Sequence, residues 1–314
     1  MQPAAPAGLV FASVAEYAAT LGDVEFWQPY VHNALWRHGL PTEPLRIGTG
    51  GTFPTFLAGA LVVKLFPQLF SGAECFDIER SIHQLFLEHP RILAPRLMAY
   101  GHLFDTGWSW PYVITNRLAG VSWRDARLSA EDQESVAVQL GGLMRQIHEL
   151  ACPEDAIWRR DVLGDLRATC MGRHRMWDTL PPRLVAQIGD FLSPPSATRR
   201  LVHADLHADH IFVDGGRLVG VIDWGDALFG DPYYELPALY FGTLDGQKQL
   251  LRAFLDGYQW EVTSDFATRA MSMTLLHEFN PLDGHTPPLA GVGSLQDLAS
   301  LLWDPRSCTR ASGS

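Results

Sequence analysis

Cysteine is scarce: Cys75, Cys152, Cys170 and Cys308 are the only four in 314 residues, and no two form a C-x-x-C pair. That spacing argues against a zinc ribbon or a disulfide framework and points to a reducing compartment. Positive charge is also short. The chain has 24 Lys and Arg against 35 Asp and Glu, a net charge of −11, which disfavours a general nucleic-acid binder. The N-terminus lacks a basic n-region and is interrupted by Glu16 and Asp23, so it does not read as a signal peptide. No run reaches the ~18 apolar residues of a membrane span, and no internal repeat or low-complexity tract is present. The expectation is a soluble, cytoplasmic monomer with neither nucleic acid nor membrane as partner.

Hydrophobic residues make up 47% of the chain, too many for disorder. At ~100–200 residues per domain the length suggests two domains or lobes. Ser13-Val14-Ala15-Glu16 has capping-box spacing and opens a short helix, and a second helix follows with Pro29 near its start. Two apolar runs, Phe56-Leu57 and Leu61 to Phe66, flank Ala58-Gly59-Ala60 and read as a β-hairpin. Gly48-Thr49-Gly50-Gly51-Thr52 lies at its mouth. Residues 73–88 look helical, and Tyr112 to Thr115 is a short strand. Past the connector Leu118-Ala119-Gly120, residues 130–150 form an amphipathic helix with Val136, Leu140, Leu143 and Ile147 on one face. Residues 151–198 are Arg- and Pro-rich with little pattern. A second apolar helix spans 267–279, and a Gly/Pro loop covers 281–293.

The densest chemistry lies at His203-Ala204-Asp205-Leu206-His207-Ala208-Asp209-His210, three His and two Asp in eight positions. Ile211-Phe212-Val213, the turn Asp214-Gly215-Gly216 and Leu218 to Ile222 then read as a hairpin that returns the chain to Asp223. Such a hairpin brings His210 and Asp223 to one end, where carboxylates and imidazoles need a cation to offset their repulsion. Two chemistries compete. Asp205-x-His207-x-Asp209-His210 is one substitution from the H-x-H-x-D-H ligand run of metallo-β-lactamase-fold hydrolases, with His277 and His285 available to complete a zinc site. Phosphoryl transfer instead needs a carboxylate to orient a hydroxyl, a metal site, a Gly-rich loop and a distant Lys.

The rest of the chain favours the second. Gly48 to Thr52 lies between strands, so it is neither a Walker loop nor a Rossmann fingerprint. Lys64 ends an apolar strand, where an unpaired ammonium is costly to bury, and Glu79 or Glu74 on the next helix can pair with it. Hairpin with Gly-rich loop, strand Lys, helix Glu, then strand and hinge is the order of a kinase N-lobe. A metallo-β-lactamase fold would carry its ligand run much earlier.

His203-x-Asp205 with a ligand five residues on, Ile222-Asp223-Trp224, and Gly230-Asp231-Pro232-x-x-Glu235-Leu236 together resemble the aminoglycoside phosphotransferases. More narrowly, Phe26-Trp27-Gln28-Pro29, Val63-Lys64-Leu65-Phe66, Trp110-Pro111-Tyr112, Leu255-Asp256-Gly257-x-x-Trp260, Leu276-His277-Glu278-Phe279 and Leu302-Trp303 resemble the hygromycin B O-kinases. The resemblance runs from about 22 to 305 and is thinnest over 151–198. It implies an α+β, two-lobed protein-kinase-like fold. Residues 1–117 would be the nucleotide-binding lobe with a leading helix, 118–305 the mostly helical catalytic and substrate lobe, and 306–314 a flexible tail. Asp205 would orient and deprotonate the acceptor hydroxyl. His210 and Asp223 would hold Mg²⁺, and Lys64, fixed by Glu79, would contact the phosphates of ATP or GTP. Thr49, Gly50, Gly51 and Thr52 would cover the phosphates, with Asn116 to Leu118 as the hinge facing the purine. His210 stands where the family usually has Asn, Ala204 where it has Gly and Glu235 where it has Asp. The first change bears on the metal geometry, since Mg²⁺ prefers oxygen ligands.

A polycationic acceptor asks for carboxylates and aromatic faces. Glu235, Tyr234, Trp260, Glu278 and Asp283 are the candidate contacts, and Glu278 and Asp283 stand out because they flank the start of the Gly/Pro loop. Glu261, Asp265 and Trp303 are further candidates. The expectation is therefore an ATP- or GTP- and Mg²⁺-dependent O-kinase of hygromycin B or a related aminoglycoside. A kinase of another hydroxylated metabolite is the alternative of the same fold. A nucleotide-binding pseudokinase, with His210 marking lost catalysis, is the alternative of a different class.

Overall fold

A computed structural model describes residues 9–48, 51–194, 196–289 and 291–306. Of these, the residues up to Ala119 together with Gly220–Asp226 form one unit, and Gly120–Val219 with the residues from Ala227 onward form the other. The segment Gly220–Asp226, part of the second lobe in the sequence reading, thus packs within the first unit.

The first unit starts with helices α1 (Val14–Thr20) and α2 (Val24–Arg37). Ser13 caps α1 by accepting the Glu16 N–H, and Asp23 caps α2 by accepting that of Phe26. Pro29 therefore sits inside α2 and not near its start, because the Asp23 cap opens the helix earlier than the apolar spacing suggested. Strands β1 (Leu45–Ile47), β2 (Thr55–Ala58), β3 (Leu61–Leu65), β4 (Leu97–His102) and β5 (Pro111–Asn116) form a sheet in the order β1-β2-β3-β5-β4, with α3 (Gly72–Glu88) between β3 and β4. The predicted hairpin is β2–β3, turned at Gly59, whose φ of +59° suits glycine. Trp27 of α2 packs against Trp110, ring centroids 5.3 Å apart, in a core shared with Phe56 and Tyr112. Both indole N–H groups are satisfied by carbonyls, Trp27 by Thr20 and Trp110 by Leu9. The segment ending at Asp226 joins this unit through the Val221 N–H, which donates to the Leu93 carbonyl at 3.0 Å. Trp224, fully buried, packs edge-on against Phe86 at 4.9 Å.

The second unit holds β6 (Val121–Ser122), α4 (Ala130–His148), α5 (Val162–Trp177), α6 (Pro182–Val185), α7 (Ile188–Phe191), β7 (Arg200–Val202), β8 (Ile211–Asp214), most of β9 (Arg217–Val221), β10 (Leu228–Gly230), α8 (Leu236–Gly242), α9 (Lys248–Tyr258), α10 (Phe266–Leu276) and α11 (Leu295–Trp303). The pattern-poor stretch 151–198 contains α5, a helix that buries only Cys170 and His174 and so leaves a weak apolar stripe. Helix α4 opens on a capping box between Ser129 and Asp132, and its expected face, Val136, Leu140, Leu143 and Ile147, is buried. Helices α4 and α9 touch backbone to backbone. A Cβ on Gly141 would lie 2.1 Å from the Phe254 carbonyl oxygen, and one on Gly257 would lie 2.0 Å from that of Val138.

Candidate functional site

In the first unit the site is built on β3, where Lys64 stands opposite Thr55 on one side and Val113 on the other. Lys64 is only 8% exposed, and its ammonium lies 2.7 Å from Glu79 Oε2 and 2.7 Å from Asp223 Oδ1. Of the two glutamates expected to pair with it, Glu79 on α3 is the one that meets the ammonium. Phe53 and Phe66 flank the ammonium, with ring centroids 5.3 and 5.4 Å away. Burial works against the charge on Lys64, but the Asp223 and Glu79 carboxylates outweigh it and hold its pKa above the ordinary lysine value. One cation between two carboxylates leaves a net negative charge, which suits a further divalent cation. Asp223 adopts a φ of +63°, a conformation Asp tolerates better than most residues. Cys75 lies in the same neighbourhood, but burial, with Asp226 adding to it, pushes its thiol up to about 12. It stays protonated at neutral pH and is no nucleophile.

Of the Gly-rich loop, Thr49 and Gly50 lie outside the described residues. Gly51 and Thr52 are exposed, and the Thr52 carbonyl accepts the Tyr17 hydroxyl at 2.6 Å. Asn116 ends β5 with its N–H given to the Arg96 carbonyl, and the Arg117 N–H goes to the Ala60 carbonyl. The Asn116 side-chain oxygen accepts the Arg96 N–H. The N–H groups of Asn116 and Arg117 are thus committed within the fold, and of the expected hinge pair it is Leu118 that remains the better candidate.

In the second unit residues 203–210 connect β7 to β8, and the fold holds this loop at one point after another. The His203 N–H donates to Glu235 Oε2 at 2.9 Å. The Ala204 carbonyl accepts from His277 Nε2 at 3.1 Å, and the Leu206 carbonyl accepts from the Thr243 hydroxyl at 3.1 Å. The Ala208 N–H donates to the Gly242 carbonyl, while its own carbonyl accepts from the Arg124 N–H. Ala204 has a φ of +70°, which gives the physical reason for the glycine that the family usually places there. Asp205, partly buried, has its Oδ2 3.4 Å from His207 Nε2 and 3.7 Å from His210 Nδ1. Burial pushes the Asp205 pKa up, but the hydrogen bond from His207 and the positive charge of His210, His207 and His203 outweigh it, and the net shift is downward. Asp205 is therefore an ionised acceptor at neutral pH, suited to orienting a hydroxyl.

Glu235 and Tyr234 differ from their expected place as acceptor contacts. Glu235 is fully buried beneath the loop, bonded to the His203 N–H and 3.4 Å from His148 Nε2. Its glutamate length serves that reach and not a surface contact. Tyr234 is buried too, stacked on His277 at 4.9 Å, and its hydroxyl accepts the Glu278 N–H at 3.1 Å. Trp260, half-buried, packs against other aromatic rings, 4.5 Å from Tyr258 and 5.1 Å from Tyr233. Glu278 and Asp283 are exposed, as an acceptor contact requires. Of the two histidines that might have completed a zinc-hydrolase site, His277 is tied to the Ala204 carbonyl and His285 lies 3.5 Å from Asp245.

His148 and Phe53 escaped the sequence reading, and His277 entered it only as a possible zinc ligand, not as the side chain that holds the Ala204 carbonyl. A signal existed for His148, which falls on the buried side of α4 one residue after Ile147. A stronger one existed for Lys64: it and Lys248 are the only lysines in the sequence.

Magnesium can be tested against the donor set. A carboxylate such as that of Asp223 offers the oxygen that Mg²⁺ prefers, whereas an imidazole such as that of His210 suits the ion less. Fold and residues together define a kinase-like protein: an antiparallel sheet bearing a Lys–Glu pair, followed by a helical unit with an Asp-bearing loop between short strands. Residues 45–272 match the phosphotransferase enzyme family, and the chain belongs to it. Aminoglycoside 2′-phosphotransferase-IIIa, in its GDP complex, has the same fold, with a TM-score of 0.63 at 17% identity over 88% of this chain and 97% of that one. A hygromycin-B 4-O-kinase of Escherichia coli is 46% identical over 43 residues, 14% of this chain and 13% of that protein. A homoserine kinase of Parvibaculum lavamentivorans is 26% identical over 232 residues, 65% of this chain and 66% of that protein. The chain thus spans about an eighth of the length of the first relative and just under two thirds of that of the second.

Proposed function

We propose that this protein transfers the terminal phosphoryl group of ATP or GTP to a hydroxyl of an aminoglycoside, with hygromycin B the favoured acceptor. The observation that carries this reading is the buried Lys64 ammonium held between Glu79 and Asp223 in a member of the phosphotransferase family. Such a lysine has no packing purpose that a leucine would not serve better, whereas a nucleotide's phosphates need a fixed cation. In this reading the first unit binds nucleotide, with Lys64 on the phosphates, Gly51 and Thr52 in the covering loop and Leu118 at the purine. Asp223 and His210 are the proposed ligands of Mg²⁺, which when bound neutralises charge on the β- and γ-phosphates. Asp205 accepts a hydrogen bond from the acceptor hydroxyl, aims its oxygen at the phosphorus and takes its proton as the bond forms.

Glu278 is the leading contact for an acceptor ammonium. Its N–H is fixed by Tyr234, and His277 beside it is bonded to the residue preceding Asp205. The exposed carboxylate is thereby tied to the loop that holds the base. Asp283 is the second such contact.

The homoserine kinase match, longer though less identical than the hygromycin-B kinase match, supports a second reading in which a smaller amino alcohol is the acceptor. Purified protein with Mg²⁺ and ATP or GTP, offered hygromycin B, other aminoglycosides and homoserine, distinguishes them by the mass gain of one phosphate. Transfer to an aminoglycoside supports the first reading, and transfer to homoserine alone replaces it with the second. Nucleotide binding without transfer to any acceptor overturns both in favour of a pseudokinase.

A further inference from the structure

The first unit holds a cavity of about 400 Å³ between α3 and β4, lined by residues that the proposed phosphoryl transfer does not employ. Aromatic rings make much of its wall: Phe76 from α3, Tyr100 and His102 from β4, and Trp108 from the turn that leads into β5. The Trp108 N–H is given to the Phe66 carbonyl at 3.1 Å, and the Tyr100 hydroxyl accepts from Gln84 Nε2 at 3.4 Å. Both rings are thereby fixed while their faces stay available. Tyr100 is 42% exposed, which is apolar surface that a flat ligand could cover.

Asp77 and Arg80 share the cavity with these rings, Oδ1 to guanidinium nitrogen 3.5 Å apart. The Asp77 side chain is 52% exposed and that of Arg80 29%, so the pair is a loose one that a ligand's own charges can enter. The Arg80 guanidinium lies over the rings of Phe76 and Tyr100, 5.9 and 5.6 Å from their centroids, and gives one N–H to Gln84 Oε1 at 3.0 Å. Its five N–H donors outnumber these contacts. A ligand with a single charge would be drawn to one of the pair and repelled by the other, whereas a zwitterion meets both. Ring faces beside one acidic and one basic side chain are the complement of an aromatic α-amino acid. The cavity lies near the lower end of the ~300–1,000 Å³ of small-molecule sites, which suits a molecule of that size.

We propose that this cavity binds a free aromatic α-amino acid, and that the bound molecule raises the affinity of the chain for nucleotide. The ring lies among Phe76, Tyr100 and Trp108, the carboxylate on Arg80 and the ammonium on Asp77. The path to the nucleotide site is short. Arg80 follows Glu79 on α3, and Glu79 holds the Lys64 ammonium at 2.7 Å. Phe76 packs edge-on against Phe66 at 5.5 Å, and the Phe66 ring lies 5.4 Å from the same ammonium. A ligand that bridges α3 to β4 holds the helix against the sheet, and with it the Glu79 carboxylate against Lys64. By linkage, nucleotide raises the affinity for the amino acid by the same factor. The coupling rests on the proposed part of Lys64 in binding nucleotide, whereas the occupant of the cavity does not.

The test titrates the full chain in a calorimeter, first without nucleotide, with L-tryptophan, L-tyrosine, L-phenylalanine, tryptamine and indole-3-propionate. One amino acid per chain is expected. L-Tryptophan should bind at least about tenfold more tightly than tryptamine, which lacks the carboxylate, and than indole-3-propionate, which lacks the ammonium. Asp77→Asn changes an exposed side chain and so spares the fold; it should weaken L-tryptophan at least about fivefold and leave indole-3-propionate no weaker. Saturating L-tryptophan should tighten ATP binding about fivefold. No binding of any of the three amino acids below about 10 mM, or L-tryptophan binding no tighter than either analogue, overturns the site. An ATP affinity that L-tryptophan leaves unchanged overturns the coupling. Amino-acid binding by a chain that binds no ATP would leave the occupant standing and sink the phosphotransfer reading; transfer by a chain that binds no aromatic amino acid would do the reverse.

Discussion

Replacing Lys64 by methionine leaves Glu79 and Asp223 facing each other without the cation between them. Both contacts to the ammonium are 2.7 Å, and Glu79 is only 5% exposed, so water cannot take over its solvation. Removing one partner of a buried ion pair costs about 3–5 kcal/mol because a charge is stranded. Glu79 is the buried charge left stranded, whereas the Asp223 side chain is 32% exposed, so Lys64→Met belongs within that range. Adding Glu79→Gln removes that buried charge, so the double variant should be less destabilised than Lys64→Met alone, by about 1–3 kcal/mol. Because Lys64 has a pKa above the ordinary 10.5 in the folded protein, its contribution is whole below that value and is lost only as pH rises beyond it. The deficit should therefore be flat between about pH 6 and 9. Urea unfolding of the wild type and the variants measures all of this. A Lys64→Met cost below about 1 kcal/mol, or a double variant as unstable as the sum of the singles, would refute the buried triad.

Ala204→Gly should stabilise the protein by about 0.5–1 kcal/mol in urea unfolding, because it relieves a left-handed backbone that costs a β-carbon about 1–2 kcal/mol. Gly141→Ala should cost at least about 2 kcal/mol, since its Cβ would meet backbone of α9 that cannot give way as a side chain can; a neutral result would mean that the helices sit further apart. Asp209→Asn should cost at most about 1 kcal/mol at neutral pH, the Arg124 pair being well exposed. The Asp209 pKa is lowered chiefly by the Arg124 hydrogen bond, so its contribution is present above 3.8 and lost as pH falls through the folded value. Chemical unfolding at neutral pH and near pH 3 should show the Asp209→Asn deficit shrink; a deficit that grows with acidity would count against the pair.

The parts of the fold legible in the sequence were those where one face is apolar and the ends are marked. Helix α4 shows its buried face at three- and four-residue steps, and the β2–β3 hairpin shows a small-residue turn between apolar runs. Helix α5 hid because it buries little, and the start of α2 was misplaced because Pro29 drew attention from the Asp23 cap. For the site, Lys64, Glu79, Asp205, His210 and Asp223 announced themselves as ionisable groups where burial or crowding makes charge expensive. What stayed hidden was the support. Glu235 and Tyr234 look in sequence like any acidic or aromatic contact, and only packing shows that they lie inside, with Glu235 reaching the His203 N–H. His277 holds Ala204 from 73 positions away, a separation no local pattern conveys.

The central claim, that Asp205 serves phosphoryl transfer, is tested most directly by steady-state transfer from Mg²⁺·ATP to hygromycin B, measured beside nucleotide affinity for wild type and Asp205→Asn. Removing a positioned base costs about 10²–10⁴-fold, so kcat should fall by that factor with the nucleotide Kd changed less than about twofold. Turnover within about tenfold of wild type in the Asn variant would contradict the account.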